Sequence, residues 1–200
     1  MVKIRPVTLA IILALTCAVV APTQTRRRSA KRKAPTKTSP TATVADPPET
    51  PEQVEGKRQL GELARLSPEQ LTKLKETIDL VQFVTRKVKL AGFPPYFMSE
   101  NHDARKVETA VNGCLDFIPA GLMRSALEGS FRALIDAWIL DQAASSGIVT
   151  SRITEIIDRY KLEDTGLYLL TRQVLDIGAA SATVASRMFE LIPAPANKPQ

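Results

Sequence analysis

Two hundred residues fit one domain with extensions, and 44% hydrophobic residues are enough to bury a core. The formal net charge of +6 is unevenly spread: nine of the 27 basic residues and none of the 21 acidic ones lie in residues 1–37, which leaves 18 against 21 in the rest. This argues against nucleic-acid binding by the folded part, and the one histidine excludes a multi-histidine metal site within the chain.

Residues 1–21 read as a signal peptide or an N-terminal membrane anchor. Lys3 and Arg5 precede an apolar run from Val7 to Val20, and small residues follow at Ala18 and Ala21, where cleavage would fall. An uncleaved anchor is the second reading, although a span wants about 20 apolar residues. A third is acylation of Cys17, which follows Thr16 where such sites prefer Gly or Ala. Loss of the leader leaves Cys114 as the one thiol, with no intrachain disulfide to form.

Residues 22–50 read as a disordered linker, first basic and then rich in Pro and Thr. Arg26, Arg27, Arg28, Lys31, Arg32, Lys33 and Lys37 follow the apolar run directly. Such a cluster tends to stay cytoplasmic beside an anchor. It would also attract anionic lipid by about 1 kcal/mol per charge near the surface. The segment after it, to Thr50, has few groups to bury against its ordering entropy.

Two start signals come next. Thr50-Pro51-Glu52-Gln53 and Ser67-Pro68-Glu69-Gln70 each place a hydroxyl cap before Pro, with Gln three after the cap. The first predicts a short helix over 51–66, with Gly56 and Gly61 weakening it. The second opens the bundle proper, 67–192, with a helix to Ala91 whose apolar face is Leu71, Leu74, Ile78, Val81, Val84 and Val88.

Phe93, Tyr96, Phe97 and Met98 then crowd a proline-containing loop. They read as a lid on one end of the bundle or as an apolar patch that docks a partner, lipid or ligand. Glu100, His102 and Asp103 follow, a cluster that could hold a metal or run acid–base chemistry, or simply cap the next helix. That helix is expected over Asp103 to Ile118, with Val107, Val111, Cys114 and Ile118 on one face and Cys114 as a core thiol.

The chain is organised around a long helix expected over Pro119 to Ala144, stopped by Ser145-Ser146-Gly147. Met123, Leu127, Phe131, Leu134 and Trp138 form its bulky face. Gly121, Ser125, Gly129, Ala133 and Ala137 form a small-residue face, and Arg124, Glu128, Arg132 and Asp136 a charged stripe read as the watery side. These four charges argue against a membrane span, at about 2.5–3.5 kcal/mol each in mid-bilayer. Carboxylate pairs Asp136 with Asp141 and Glu155 with Asp158 read as solvated charges.

A short helix capped by Thr150 or Ser151 follows, with Ile153, Ile156, Ile157 and Tyr160 inward. The last long helix is expected over Thr165 to Ile192. Its apolar side is Leu167, Leu170, Val174, Ile177, Ser181, Val184 and Met188, and its small row, Gly178, Ala182 and Ser186, should meet the small face of the central helix. Residues 193–200 read as a frayed tail.

The fold class expected is all-α, a single bundle of five to six helices behind a disordered N-terminal linker. The sequence shows no phosphate loop, serine elbow or Cys-x-x-Cys, so no cofactor or metal is expected. The function expected is an exported or membrane-associated, non-catalytic module, secreted or periplasmic, that binds a protein or envelope component. The alternatives are an enzyme using Glu100, His102 and Asp103, and a cytoplasm-facing anchored protein whose basic tail binds acidic lipid or nucleic acid.

Overall fold

A computed structural model describes residues 50–147, 151–163 and 166–193. The expectations for residues 1–49, for a cap at Thr150, for a helix start at Thr165 and for the tail beyond Pro193 lie outside the described residues. Within them the chain is all-helical: α1 is Pro51–Leu63, α2 Pro68–Ala91, α3 Asp103–Leu115, α4 Leu122–Ser146, α5 Ser151–Tyr160 and α6 Leu167–Glu190.

Both start signals are formed as capping boxes. Thr50 Oγ1 accepts from Gln53 N–H while Gln53 Oε1 accepts from Thr50 N–H; Ser67 and Gln70 repeat the exchange. Each box occupies two amide donors that a helix start otherwise leaves unpaired. α1 stops at Leu63, short of Leu66, because Ala64 to Leu66 tighten into turns whose amides reach back three and four residues. α2 ends at Gly92, whose φ of +79° suits a residue without a side chain.

The core lies where α2, α3, α4 and α6 meet. The most extensive pairing is α4 with α6, running antiparallel along rows of small residues. A Cβ on Gly178 would stand 2.9 Å from the Cβ of Ala133, and one on Gly129 would stand 3.7 Å from Ser181 Oγ. The meeting of small rows expected from the sequence is thus present. Which side of α6 is buried differs from expectation: Thr171, Leu175, Gly178, Ala182 and Ala185 are buried with Leu170, Val174 and Met188, while Ile177, Ser181 and Val184 are only half-buried. The close backbone approach turns the small row inward and moves its larger neighbours to the flanks.

The central helix begins at Leu122, three residues after Pro119. The amide of Ile118 still bonds to Cys114 O at 3.0 Å, closing the end of α3, so Pro119 falls in the reversal between helices. For the same reason α3 ends at Leu115 although Ile118 stays buried. Gly121 caps α4 with φ +157° and no side chain. The space is filled by Gln59 of α1, whose Oε1 accepts from Leu122 N–H at 2.9 Å. Arg124, placed on the watery stripe by its spacing, donates to Leu115 O at 3.0 Å and so covers the end of α3. Gly147 stops α4 in the left-handed conformation, φ +70°, as the sequence suggested.

Asp136 departs furthest from its expected place. It is 4% exposed. α5 folds over it, bringing Arg159 Nη1 to 2.5 Å and Tyr160 OH to 3.0 Å from Oδ2. Ile153 and Ile156 bury beside this pair, so α5 is joined to α4 by a charged centre with an apolar border. Of the carboxylates read as solvated, Glu155 and Asp158 are exposed as expected, whereas Asp136 is buried against α5. Burial pushes the Asp141 carboxyl above its ordinary value.

Candidate functional site

The residues singled out by sequence gather at the end of the bundle where α2 hands over to α3. The loop from Gly92 to His102 is held by a ring pair and by tight turns. Phe97 is fully buried, and Phe93 meets it edge-on with centroids 4.8 Å apart and planes at 72°. Phe97 N–H donates to Pro94 O at 3.0 Å, Ser99 N–H to Tyr96 O at 3.1 Å, and His102 N–H to Ser99 O at 3.2 Å. Asn101 takes φ +63°, a conformation asparagine tolerates better than most residues.

This geometry divides the four aromatic and Met candidates. Phe97 belongs to the core and Phe93 packs against it, whereas Tyr96 is 51% exposed and Met98 half-buried. The loop therefore lids the bundle with one side and shows Tyr96 and part of Met98 on the other. Tyr96 also stacks on His102, centroids 4.2 Å apart at 34°.

The polar candidates are placed apart. Asp103 turns to α2, where Lys87 Nζ lies 2.5 Å from Oδ2. That carboxylate raises the Lys87 ammonium above its ordinary value. His102 stands at the start of α3 but makes no side-chain cap bond, its ring being on Tyr96. Glu100 is exposed. Among the described residues no group of three His, Cys, Asp or Glu is placed to hold a metal ion.

Cys114 lies in the core, as its spacing suggested. It is fully buried between α2 and α3, with Sγ 3.1 Å from Thr77 Oγ1. Burial raises its thiol above the ordinary value, which keeps the nucleophilic thiolate scarce.

Sequence reasoning missed a groove beside the loop. Met98, Ala104, Arg105, Glu108, Phe131 and Ile135 line a half-open space of about 160 Å³ between α3 and α4. A cavity on the order of 150 Å³ lined by apolar side chains accepts benzene, so the groove has room for one side chain of Leu or Phe size. Its mouth carries the ion pair Arg105 Nη1 to Glu108 Oε2, at 2.8 Å. The one sign of it in the sequence is that Phe131, on the bulky face of the central helix, is followed at i,i+4 by Ile135.

The basic residues Arg26 to Lys33 lie outside the described residues. Among the described helices none is long and apolar enough to cross a membrane. No family model, curated protein or solved structure matches the chain.

Proposed function

We propose that the folded part is a non-catalytic interaction domain, carried outside the cytoplasm or at a membrane by the N-terminal segment. In this reading it binds a protein or envelope partner at the end where Tyr96 and Met98 emerge. The observation that carries the reading is the groove whose apolar lining is Met98, Ala104, Phe131 and Ile135, beside Arg105 and Glu108. It adjoins the loop that exposes Tyr96. Methionine and tyrosine suit such a surface, because one adapts its shape and the other presents both an apolar face and a hydroxyl. A partner inserting one apolar side chain would remove that surface from water and leave the Arg105–Glu108 pair at the rim. Support for export comes from sequence: the apolar run to Val20 with small residues at Ala18 and Ala21, then a proline-rich linker.

Two measurements test this proposal. Cell fractionation with N-terminal sequencing should find a chain beginning near Val19 or Pro22 in the exported fraction. A full-length chain whose domain is shielded from external protease contradicts export and favours an anchored protein with its basic tail in the cytoplasm. A photoreactive residue at position 96 should capture a discrete partner in intact cells, while one at Thr183, on the exposed side of α6, should not. Equal capture at both positions, or none at either, removes the docking surface.

A further inference from the structure

α1 is attached to the bundle differently from every helix after it. Residues 51–58 are exposed, and Leu63 is its only buried side chain. Much of its order is internal: the Thr50–Gln53 capping box, Arg58 paired with Glu55 and Glu62, and Gln59 Nε2 donating to Glu55 Oε1 at 2.8 Å. Its hold on the bundle is at the C-terminal end. Leu63 and Gln59 sit against Pro119 to Met123, and Gln59 Oε1 accepts the amide of Leu122. That amide belongs to the first turn of α4, where no carbonyl of the helix itself can accept it. Gly121 makes room for the contact, since a Cβ there would meet Gln59 Cδ at 2.8 Å.

We infer that α1 is a latch that leaves the bundle on its own, well below the free energy of global unfolding, and that Gln59 is its polar catch. Opening uncovers the seat of Leu63 at the start of the central helix and frees the Leu122 amide. Local opening of this kind is expected where few apolar side chains are buried and the backbone lies near solvent. The helix is also short enough that it would not hold its order for long once detached. The α1–α2 joint cannot straighten into one continuous helix, because Pro68 disfavours helical geometry at Ser67. Detachment therefore parts the chain at the turns of Ala64 to Leu66, leaving α2 in place while α1 unwinds.

The test is amide hydrogen exchange by NMR on the full chain, under conditions where exchange reports opening equilibria. Leu122 should exchange together with Leu60 and Leu63, at least about tenfold faster than the amides of Leu134 to Leu140, as a local opening below the global one requires. In Gln59→Ala the protection of Leu122 should fall about three- to tenfold, the loss of one neutral hydrogen bond, with Leu134 to Leu140 unchanged. Leu63→Ala, which keeps the catch but removes the apolar anchor, should speed exchange at Leu60 and Leu122 alike. The inference is overturned if Leu122 exchanges with the centre of α4, if it moves independently of α1, or if its protection survives Gln59→Ala.

Discussion

The seam between α4 and α6 and the joint between α4 and α5 are both built on the same central helix, by opposite means. At the seam, Gly178 lies against Ala133 so closely that a single added methyl group has no space. Affinity there comes from backbone proximity and from dispersion over many small contacts. At the joint, α5 is held by Asp136 with Arg159 and Tyr160, a buried carboxylate covered by a cation and a hydroxyl. The seam is limited by size, whereas the joint depends on a pairing of charges. A helix that must serve both sides therefore needs small residues on one face and a partnered carboxylate on another, and α4 carries both.

Substitutions in the seam and in the joint should therefore act on different parts of the fold. The largest effect is expected from Gly178→Leu, which forces a branched side chain into the seam and should destabilise the fold by about 3 kcal/mol, the upper end for overpacking. Urea unfolding followed by circular dichroism measures it. Asp136→Ala strips the joint of its acceptor and leaves Arg159 and Tyr160 facing a void. Breaking a buried pair costs about 3–5 kcal/mol. Because the Arg159 side chain is 32% exposed and can turn to water, about 2 kcal/mol is expected here. The loss should also fall on α5 before the rest, visible as protease cleavage near Arg152 in a chain that otherwise stays folded.

A smaller effect of opposite sign is expected at Thr85. Its hydroxyl is buried without a hydrogen-bond partner among the described residues. Thr85→Val keeps the shape and removes the unsatisfied group, so stability should rise by about 1 kcal/mol. A loss in urea unfolding would mean that the hydroxyl has a partner.

The smallest effect is one of pH. Burial, then the charge of Asp136 and its hydrogen bond, push the Tyr160 hydroxyl well above its ordinary value. A group with a raised value in the folded state stabilises it fully below the unfolded value, near 10, and loses that contribution as pH rises further. The joint should therefore weaken between about pH 10 and 12. Tyr160→Phe, less stable at neutral pH, should show a flatter decline over that window. Parallel declines in the two proteins would locate the alkaline sensitivity elsewhere.

Much of this architecture was legible because it is written in local chemistry. The two capping boxes, the glycine stop at Gly147 and the core position of Cys114 each follow from a few neighbouring residues. The pairing of small rows was legible too, since two rows that cannot fill space alone fit each other. What was hidden depends on residues distant in sequence. The spacing of Arg124, Glu128, Arg132 and Asp136 describes a wet stripe, and only the return of α5 over Asp136 makes its last member a buried one. Pro119 has the chemistry of a helix start, yet it is claimed by the turn that closes α3. In the aromatic loop no periodicity separates Phe97, which is core, from Tyr96, which is exposed. The groove draws on the loop and two helices, so no single stretch announces it.

The most direct test of the central claim, that α4 and α6 are joined by close approach of small residues, is a double-mutant cycle. Gly178→Ala alone should destabilise by about 1–2 kcal/mol, because its Cβ would sit 2.9 Å from that of Ala133. Ala133→Gly removes the opposing methyl. In that background the same Gly178→Ala change should be neutral or better, given the roughly 1 kcal/mol by which Ala exceeds Gly in a helix. A coupling energy above about 1 kcal/mol supports the seam as described. Effects that add within about 0.5 kcal/mol would mean that the two positions do not touch, and would contradict it.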